Sequence, residues 1–508
     1  MRFYLTTPIY YVNSTPHIGH AYTTIAADIL VRHHRQRGDE TFFLTGVDEH
    51  ADKVARVAAE QGLTPRQYTD AIVGAWQELP RRLNATNDFF IRTSDDGHKR
   101  FVQDFLQRIY DNGREDIYQD VYAGWYCVGC EAFKTEDELV DGRCPDHGTV
   151  PEWLEERNWF FRLSAYQDEL LALYDQRPDF VLPHFRANEA RSFIEGGLRD
   201  FSISRATQTW GVPIPWDPDQ VAYVWADALI NYLSALSYAP GSDGPGDPLL
   251  RFWPATHLLA KDILRFHCVY WPALLIAAGY EPPRQLFVHG YLNIDHRKIS
   301  KSLGNVIDPL DLIDVYGADA VRFWCARQVS FGQDGNVSLD SFRERYDREL
   351  ANDLGNLVSR TTAMIARYRE GVLAKTPGAG AIDADRLRTS LVERLDRFDI
   401  TTALDEIWQA VRRLNQYVEA NAPWELAKDE AKRADLDAVL YDLADGLCAV
   451  AVAVSPYLPE TGPRILEALR QRPGLSLDRV RRGAAEAADG IEAASPLFPR
   501  VEASSAAA

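Results

Sequence analysis

The 508 residues, 46% hydrophobic and 25% charged, have the make-up of a globular protein with length for roughly three domains. A formal charge of −19 excludes indiscriminate coating of nucleic acid or anionic membrane, yet leaves room for a specific RNA held on a local basic face. No apolar run would span a bilayer, MRFYLTTPIYY has no secretion-signal pattern and six cysteines make no disulfide framework, so a cytoplasmic protein is expected.

RFYLTTPIYYV (2–12) is rich in β-branched and aromatic residues and reads as a strand running into a loop. From Ile18, apolar residues recur at Tyr22, Ile25 and Ile29, the spacing of one buried helix face. DETFFLTGVDEH (39–50) reads as a second buried strand with charged residues at its carboxyl end. Strand, helix and strand at this spacing predict a parallel α/β sheet. Ligands of such sheets bind beyond the carboxyl ends of the strands, where His17 and Asp48 both fall. Residues 115–220, with cysteines, glycine turns and short aromatic runs, read as an insertion between two halves of the sheet. GSDGPGDP (241–248) is a loop by composition, and RQLFVHGYL (284–292) is a later buried strand. From about residue 340 helical patterns dominate, broken at PGAGA (377–381), and the tail EASSAAA (502–508) is expected to be disordered.

Three motifs carry chemistry. In TPHIGHAYTT (15–24), Thr15 and Pro16 are helix-start signals, and His17 and His20 share one face of a first turn whose N–H groups favour an anion. Gly19 between them opens the backbone to a flat ligand. Taken alone, the same residues would equally suit an exposed polar helix end. RKISKSLGN (297–305) places Lys298 and Lys301 three apart with Ser300 between them, able to close on a polyphosphate or, taken alone, to form a solvated basic turn. CVGC (127–130) and CPDH (144–147), thirteen residues apart, offer Cys127, Cys130, Cys144 and His147 as a closed, structural zinc set. Cys268, Cys325 and Cys448 lie in apolar stretches and read as core residues.

HIGH after a first strand and KISKS late in the same sheet resemble the paired signatures of class I aminoacyl-tRNA synthetases. TTPIYYVNSTPHIGHAYTT, FLTGVDEH, YVWADALINYLSAL, LLAKDILRFH and LANDLGNLVSR narrow the resemblance to the methionyl-tRNA synthetase family, one-zinc-knuckle bacterial type, over almost the whole chain. The resemblance implies a Rossmann-type catalytic domain in two halves (1–114 and 221–340), a zinc-bearing inserted domain (115–220), an all-α anticodon-binding domain (341–480) and a C-terminal extension (481–508), partly disordered. It implies a monomer acting on ATP, L-methionine and tRNA(Met), with Mg(2+) accompanying ATP and one structural Zn(2+).

By the same resemblance, Ile9, Tyr11, Asp48, Trp225, Ala228, Leu229, Tyr232, Ile263 and His267 line a methionine pocket. Asp48 can pair with the ammonium, the aromatics can face the sulfur, and His267 can hydrogen-bond near the thioether. Trp225 and Tyr232, seven apart, would also fit one packed helical face. His17, Gly19, His20, Asp262, Lys298, Ser300 and Lys301 are implied for ATP, with the two histidines and two lysines catalytic. Asn356, Arg360 and Trp424 are implied for the anticodon, the tryptophan stacking on a splayed base. The chain departs from the family pattern at Ala51, Ala226 and Ile299. The cysteine and leucine enzymes of the same class, and a catalytically lapsed tRNA-binding relative, are the alternative readings.

Overall fold

The structure is a computed structural model. It describes the chain except residues 13–14, 129–131, 135, 146–147, 242–247, 295–296, 299–306 and 502–508. Six strands form one sheet: β1 (Arg2–Tyr11), β2 (Glu40–Asp48), β3 (Phe89–Arg92), β4 (Val181–Leu182), β5 (Thr256–Ala260) and β6 (Gln285–His289). Their order is β3-β2-β1-β5-β6-β4, and every neighbouring pair is parallel. The central strands are near-continuous apolar runs because helices cover both faces, so alternation with polar residues is not required. The chain passes from β1 outward to β2 and β3, then returns to the other side of β1 for β5. The crevice between β1 and β5 is therefore the switch point, and it opens at the strands' carboxyl ends.

The segment between β3 and β5 is built around an antiparallel sheet, with Ile117–Cys127 paired to Ala132–Lys134 and Glu152–Phe161, and Phe201–Ser202 at its edge. It is not self-contained. Val181–Leu182 leaves it to become β4, the outer strand of the parallel sheet. Two residues are too few for a hydrophobic pattern, so nothing in the sequence marks this strand.

α1 (Ile18–Gln36) lies between the sheet and a bundle built from helices Asn356–Arg369, Ala384–Leu395, Ile400–Asn421, Arg433–Val454 and Thr461–Ala468. Most of α1 is buried because it packs on both partners. Its Asp28 meets Arg322 of helix Ala318–Gln328 at 2.7 Å, both side chains fully buried. Arg322 also donates to the carbonyls of Leu83, Pro456 and Tyr457, so one guanidinium joins four segments. Burial would raise the Asp28 carboxyl, but Arg322 and Arg32 hold it below its ordinary value. Beyond the bundle, residues 481–501 are irregular yet packed, with Ile491, Leu497 and Phe498 buried. Among the described residues, no helix is long and apolar enough to cross a membrane.

Candidate active site

Helix α1 begins at Ile18, and its cap is His17 rather than Thr15. Gly19 N–H donates to His17 Nδ1 at 3.1 Å, and His17 N–H donates to His20 Nδ1 at 3.1 Å. The two imidazoles thus satisfy first-turn donors reciprocally, as Ser and Glu do in an ordinary capping box. Each Nδ1 is an acceptor here, so each neutral ring carries its proton on Nε2. The rings lie 3.9 Å apart, and His20 is held edge-on between Tyr10 and Trp76, each 4.8 Å away. The space a Gly19 side chain would fill is occupied by the His17 ring, so the glycine makes room for the cap.

Strand register brings together residues expected to line a methionine pocket. Ile9 pairs with Gly46, and Tyr11 stands opposite Asp48 after an irregularity that begins at Thr6. Asp48 is buried and accepts at Oδ1 from His50 N–H (3.2 Å) and Thr93 Oγ1 (3.3 Å). Trp225 and Tyr232 do not share one continuous helix: Val224–Ala228 and Asn231–Tyr238 are separate, with Leu229 and Ile230 at the joint. They converge on His267, whose ring is 6.1 Å from Trp225 and 5.7 Å from Tyr232. Tyr11 meets Trp225 edge-on at 6.4 Å.

Pro272 has no N–H to close an α-turn, and the turn before it widens to a π-helix over Phe266–Tyr270. That widening lays Phe266 flat on Trp225 at 3.9 Å and 5°. It also sets the state of His267. Ile263 O can only accept, so His267 Nδ1 donates to it (3.0 Å), and His267 Nε2 accepts from the Tyr232 hydroxyl (2.7 Å). Burial lowers the pKa of His267 to about 4, which keeps it neutral. Both ring nitrogens are therefore engaged, and the polar atom His267 was expected to offer a thioether is already bonded to Tyr232.

Past β6, Gly290 lies so close to residues 333 and 334 that a Cβ would meet backbone atoms at 2.4 Å. Strand Leu292–Ile294 then pairs with Gly335–Val337 on one side and Arg297–Lys298 on the other. Lys298 therefore sits on a hairpin arm, while Ser300 and Lys301 lie outside the described residues. The far end of the same segment returns to α1: Ile18 N–H donates to Ile307 O at 3.1 Å. Asp262 is exposed just after β5; burial lowers the pKa of His289, offset in part by its bond to Gly290 O and by the Asp262 charge. His289 contacts Thr23 of α1 at 2.9 Å, so Asp262 belongs to the mouth of the same crevice.

The family described as tRNA synthetases class I (M) matches residues 3–149 and 138–362. A methionine–tRNA ligase of Caldanaerobacter subterraneus subsp. tengcongensis is 44% identical over 98% of this chain and 79% of its own. The chain belongs to the methionyl-tRNA synthetases. Among solved members, the Mycobacterium tuberculosis synthetase bound by methionyl-adenylate superposes with a TM-score of 0.92 at 40% identity, covering 98% of this chain and all of that one. The free form of the M. tuberculosis synthetase gives 0.82 at 38% identity, covering 99% and 98%.

Elsewhere in this synthetase, Cys127 and Cys144 are buried and meet at Thr149. Its Oγ1 is 3.9 Å from Cys127 Sγ, and its carbonyl accepts from Cys144 N–H at 2.9 Å. Cys130 and His147 lie outside the described residues; among the described ones there is no three-residue metal cluster. Cys268, Cys325 and Cys448 are buried. Asn356 and Arg360 are exposed on helix Asn356–Arg369, and Arg360 reaches Glu419 of helix Ile400–Asn421 at 2.7 Å. Trp424, on the short helix after Ala422, is half-buried against the bundle. Ala51 and Ala226 are buried, and Ile299 lies outside the described residues.

The site also contains residues that sequence reasoning missed. Phe266, Tyr10 and Trp76 fix the rings of the site, and only the aromatic richness of their segments hinted at them. His50 and Asp227, 177 positions apart, meet in a buried hydrogen bond that no local pattern could signal.

Proposed function

We propose that this chain is a methionine–tRNA ligase whose first step occurs at the mouth of the β1–β5 crevice, with the amino-acid pocket and the α1 tip serving one reaction. The observation that carries this reading is the 3.1 Å bond from Ile18 N–H to Ile307 O, which puts residue 307, shortly after the lysine motif in the chain, at the helix tip bearing both histidines. The higher similarity to the adenylate-bound relative than to its free form supports the same arrangement.

In this reading the Asp48 carboxylate pairs with the methionine ammonium, while Tyr11, Trp225 and Tyr232 wall the side chain, with sulfur–aromatic contact favouring methionine. Trp225 Nε1 is buried without a partner among the described residues, as expected of a pocket that a ligand completes. Ile9, Ala228, Leu229 and Ile263 fill the remaining wall. His267 acts through the Tyr232 hydroxyl and not directly on the sulfur. The methionine carboxylate is ionised at neutral pH, so it attacks the α-phosphorus without a general base. A C–O–P bond forms, the bond from the α-phosphorus to the bridging oxygen breaks, and pyrophosphate leaves. His17 and His20 donate their Nε2–H groups to the phosphates, and Gly19 keeps those rings in place. Lys298 and Lys301 neutralise the departing charge, with Ser300 and Asp262 on the nucleotide. Magnesium enters with ATP. A terminal adenosine hydroxyl of tRNA(Met) then attacks the adenylate carbonyl and releases AMP.

Asn356, Arg360 and Trp424 are proposed to read the anticodon. Cys127, Cys130, Cys144 and His147 are proposed to hold one structural zinc, which would tie the turns of the insertion together; the meeting of Cys127 and Cys144 at Thr149 fits that use. We take the enzyme to be cytoplasmic and monomeric. ATP–pyrophosphate exchange across the amino acids tests the reading: methionine should exceed cysteine and leucine by at least ~100-fold in kcat/KM, since a matched pocket rejects misfits of more than one group by that order. Preference for another amino acid, or no exchange, would overturn it.

A further inference from the structure

Behind the amino-acid pocket lies a fully buried polar chain that the reaction above does not use. Asp227 Oδ2 meets His50 Nδ1 at 2.6 Å, and Asp227 Oδ1 meets His98 Nε2 at 2.7 Å. His98 Nδ1 continues to Ser234 Oγ at 2.7 Å. The Asp227 and His98 side chains are fully buried, and that of His50 is 1% exposed. Burial would raise the Asp227 carboxyl, yet the two histidines hold it well below the ordinary carboxylate range. An ionised carboxylate only accepts, so both histidines donate to it, and His50 is fixed with its proton on Nδ1. His50 Nε2, near the Trp210 ring at 5.1 Å between centroids, has no partner among the described residues.

The location of this chain gives it a purpose. His50 also donates its backbone N–H to Asp48 Oδ1 at 3.2 Å, and Asp227 shares a five-residue helix with Trp225. Asp227 therefore holds together the two segments that would meet the substrate: the end of β2, bearing Asp48, and the turn bearing Trp225. Through His98 and Ser234 it fixes the same turn to helices Asp96–Tyr110 and Asn231–Tyr238. Apolar packing of similar volume could hold these elements with comparable stability, but it would not set the angle of a carboxylate. We propose that Asp227 and His50 are positioning residues for amino-acid recognition, setting the distance between Asp48 and Trp225. The proposal rests on the reading of Asp48 and Trp225 as substrate contacts.

The test is ATP–pyrophosphate exchange with methionine and ATP varied separately, alongside thermal melting. Asp227→Asn keeps the shape but turns one acceptor into a donor that faces a histidine N–H. His50→Ala removes the link, whereas His50→Asn can return an N–H to Asp227 from its amide. The expected result is a methionine KM raised about 10-fold in Asp227→Asn and His50→Ala, with the ATP KM and kcat within about threefold of the parent, the pattern of a lost binding interaction. His50→Asn should recover most of the methionine KM. Equal rises in both KM values, a fall in melting temperature alone, no change, or failure of His50→Asn to recover would each overturn the proposal. Should Asp227→Asn not fold, the two His50 variants decide. Asp48→Asn separates the underlying reading: if it leaves the methionine KM unaltered, the pocket assignment itself fails whatever the His50 variants do.

Discussion

A Cβ built on Gly19 would stand 2.9 Å from His17 Cε1 and 3.1 Å from its Nδ1, closer than such atoms pack. The imidazole would have to swing away and give up the Gly19 N–H bond that caps α1. Losing a cap costs about 1 kcal/mol of stability. The larger effect falls on chemistry, because the displaced ring also carries the Nε2–H proposed to face phosphate. Gly19→Ala is therefore expected to lower the exchange rate by ~10–100-fold, in the range seen when a phosphate donor is misplaced. Exchange kinetics and melting curves check this. A large melting shift with an unchanged rate would instead assign the glycine to folding alone. At this scale the sequence was informative about residue types but not about their states. HIGH placed two imidazoles together, whereas their reciprocal capping and the engagement of both His267 nitrogens depend on neighbours that spacing does not reveal.

Among elements, the strand–helix–strand start was legible because β1 and β2 are long apolar runs and α1 has a regular buried face. The joint between Trp225 and Tyr232 was not. A spacing of seven fits an unbroken helix, but the chain turns at Leu229–Ile230, and only contacts with distant His267 explain why both aromatics still converge. The lysine motif reads as a loop in the sequence, but its described start, Arg297–Lys298, is a strand, and the anchors of that strand were hidden in long-range register. Gly290 is one of those anchors. A methyl group there would overlap the backbone of residues 333 and 334, neither of which is the far end of a flexible side chain. Gly290→Ala should push strand Leu292–Ile294 off Gly335–Val337 and lower the exchange rate at least ~10-fold while leaving the methionine KM within about twofold, as expected when only the transition-state contact shifts. Separate titrations of methionine and ATP measure this. A rise in methionine KM matching the loss of rate would place the effect in the pocket instead.

Across the molecule, α1 has the two histidines proposed to meet phosphate at one end and is clamped to the bundle along its length. Asp28–Arg322 is the centre of that clamp, and Gln36 adds bonds to Val452 O and Ser455 Oγ, each 2.8 Å. Arg322→Met leaves Asp28 buried with only Arg32 as its cation and removes donors from three carbonyls. A loss of ~3–5 kcal/mol is expected, the range for breaking a buried pair by removing one partner, measured by chemical unfolding. A loss below ~1 kcal/mol would mean that the apolar packing alone joins sheet and bundle.

The buried histidines make the whole molecule acid-sensitive in a defined window. Burial lowers His33 to about 3 and His267 to about 4, and lowers His257, His289 and His34 as well. His33 and His267 stay neutral in the native state down to those values and the other three are shifted in the same direction, whereas the unfolded chain takes up a proton below the ordinary value of 6.5. The unfolded state thus binds more protons as pH falls from 6.5 toward the native values. Stability is fully present above that window and is lost going down through it, by about 1.4 kcal/mol per pH unit per histidine. For His267 the window runs from 6.5 to about 4 and amounts to about 3 kcal/mol. The melting temperature should therefore begin to fall near pH 6.5, well before ordinary carboxylates titrate. His267→Asn, compared with its own value at pH 7.5, should show a shallower acid limb. A parent curve flat down to pH 5 would mean that these imidazoles find protons inside the fold, and the neutral Tyr232–His267–Ile263 arrangement would have to be abandoned.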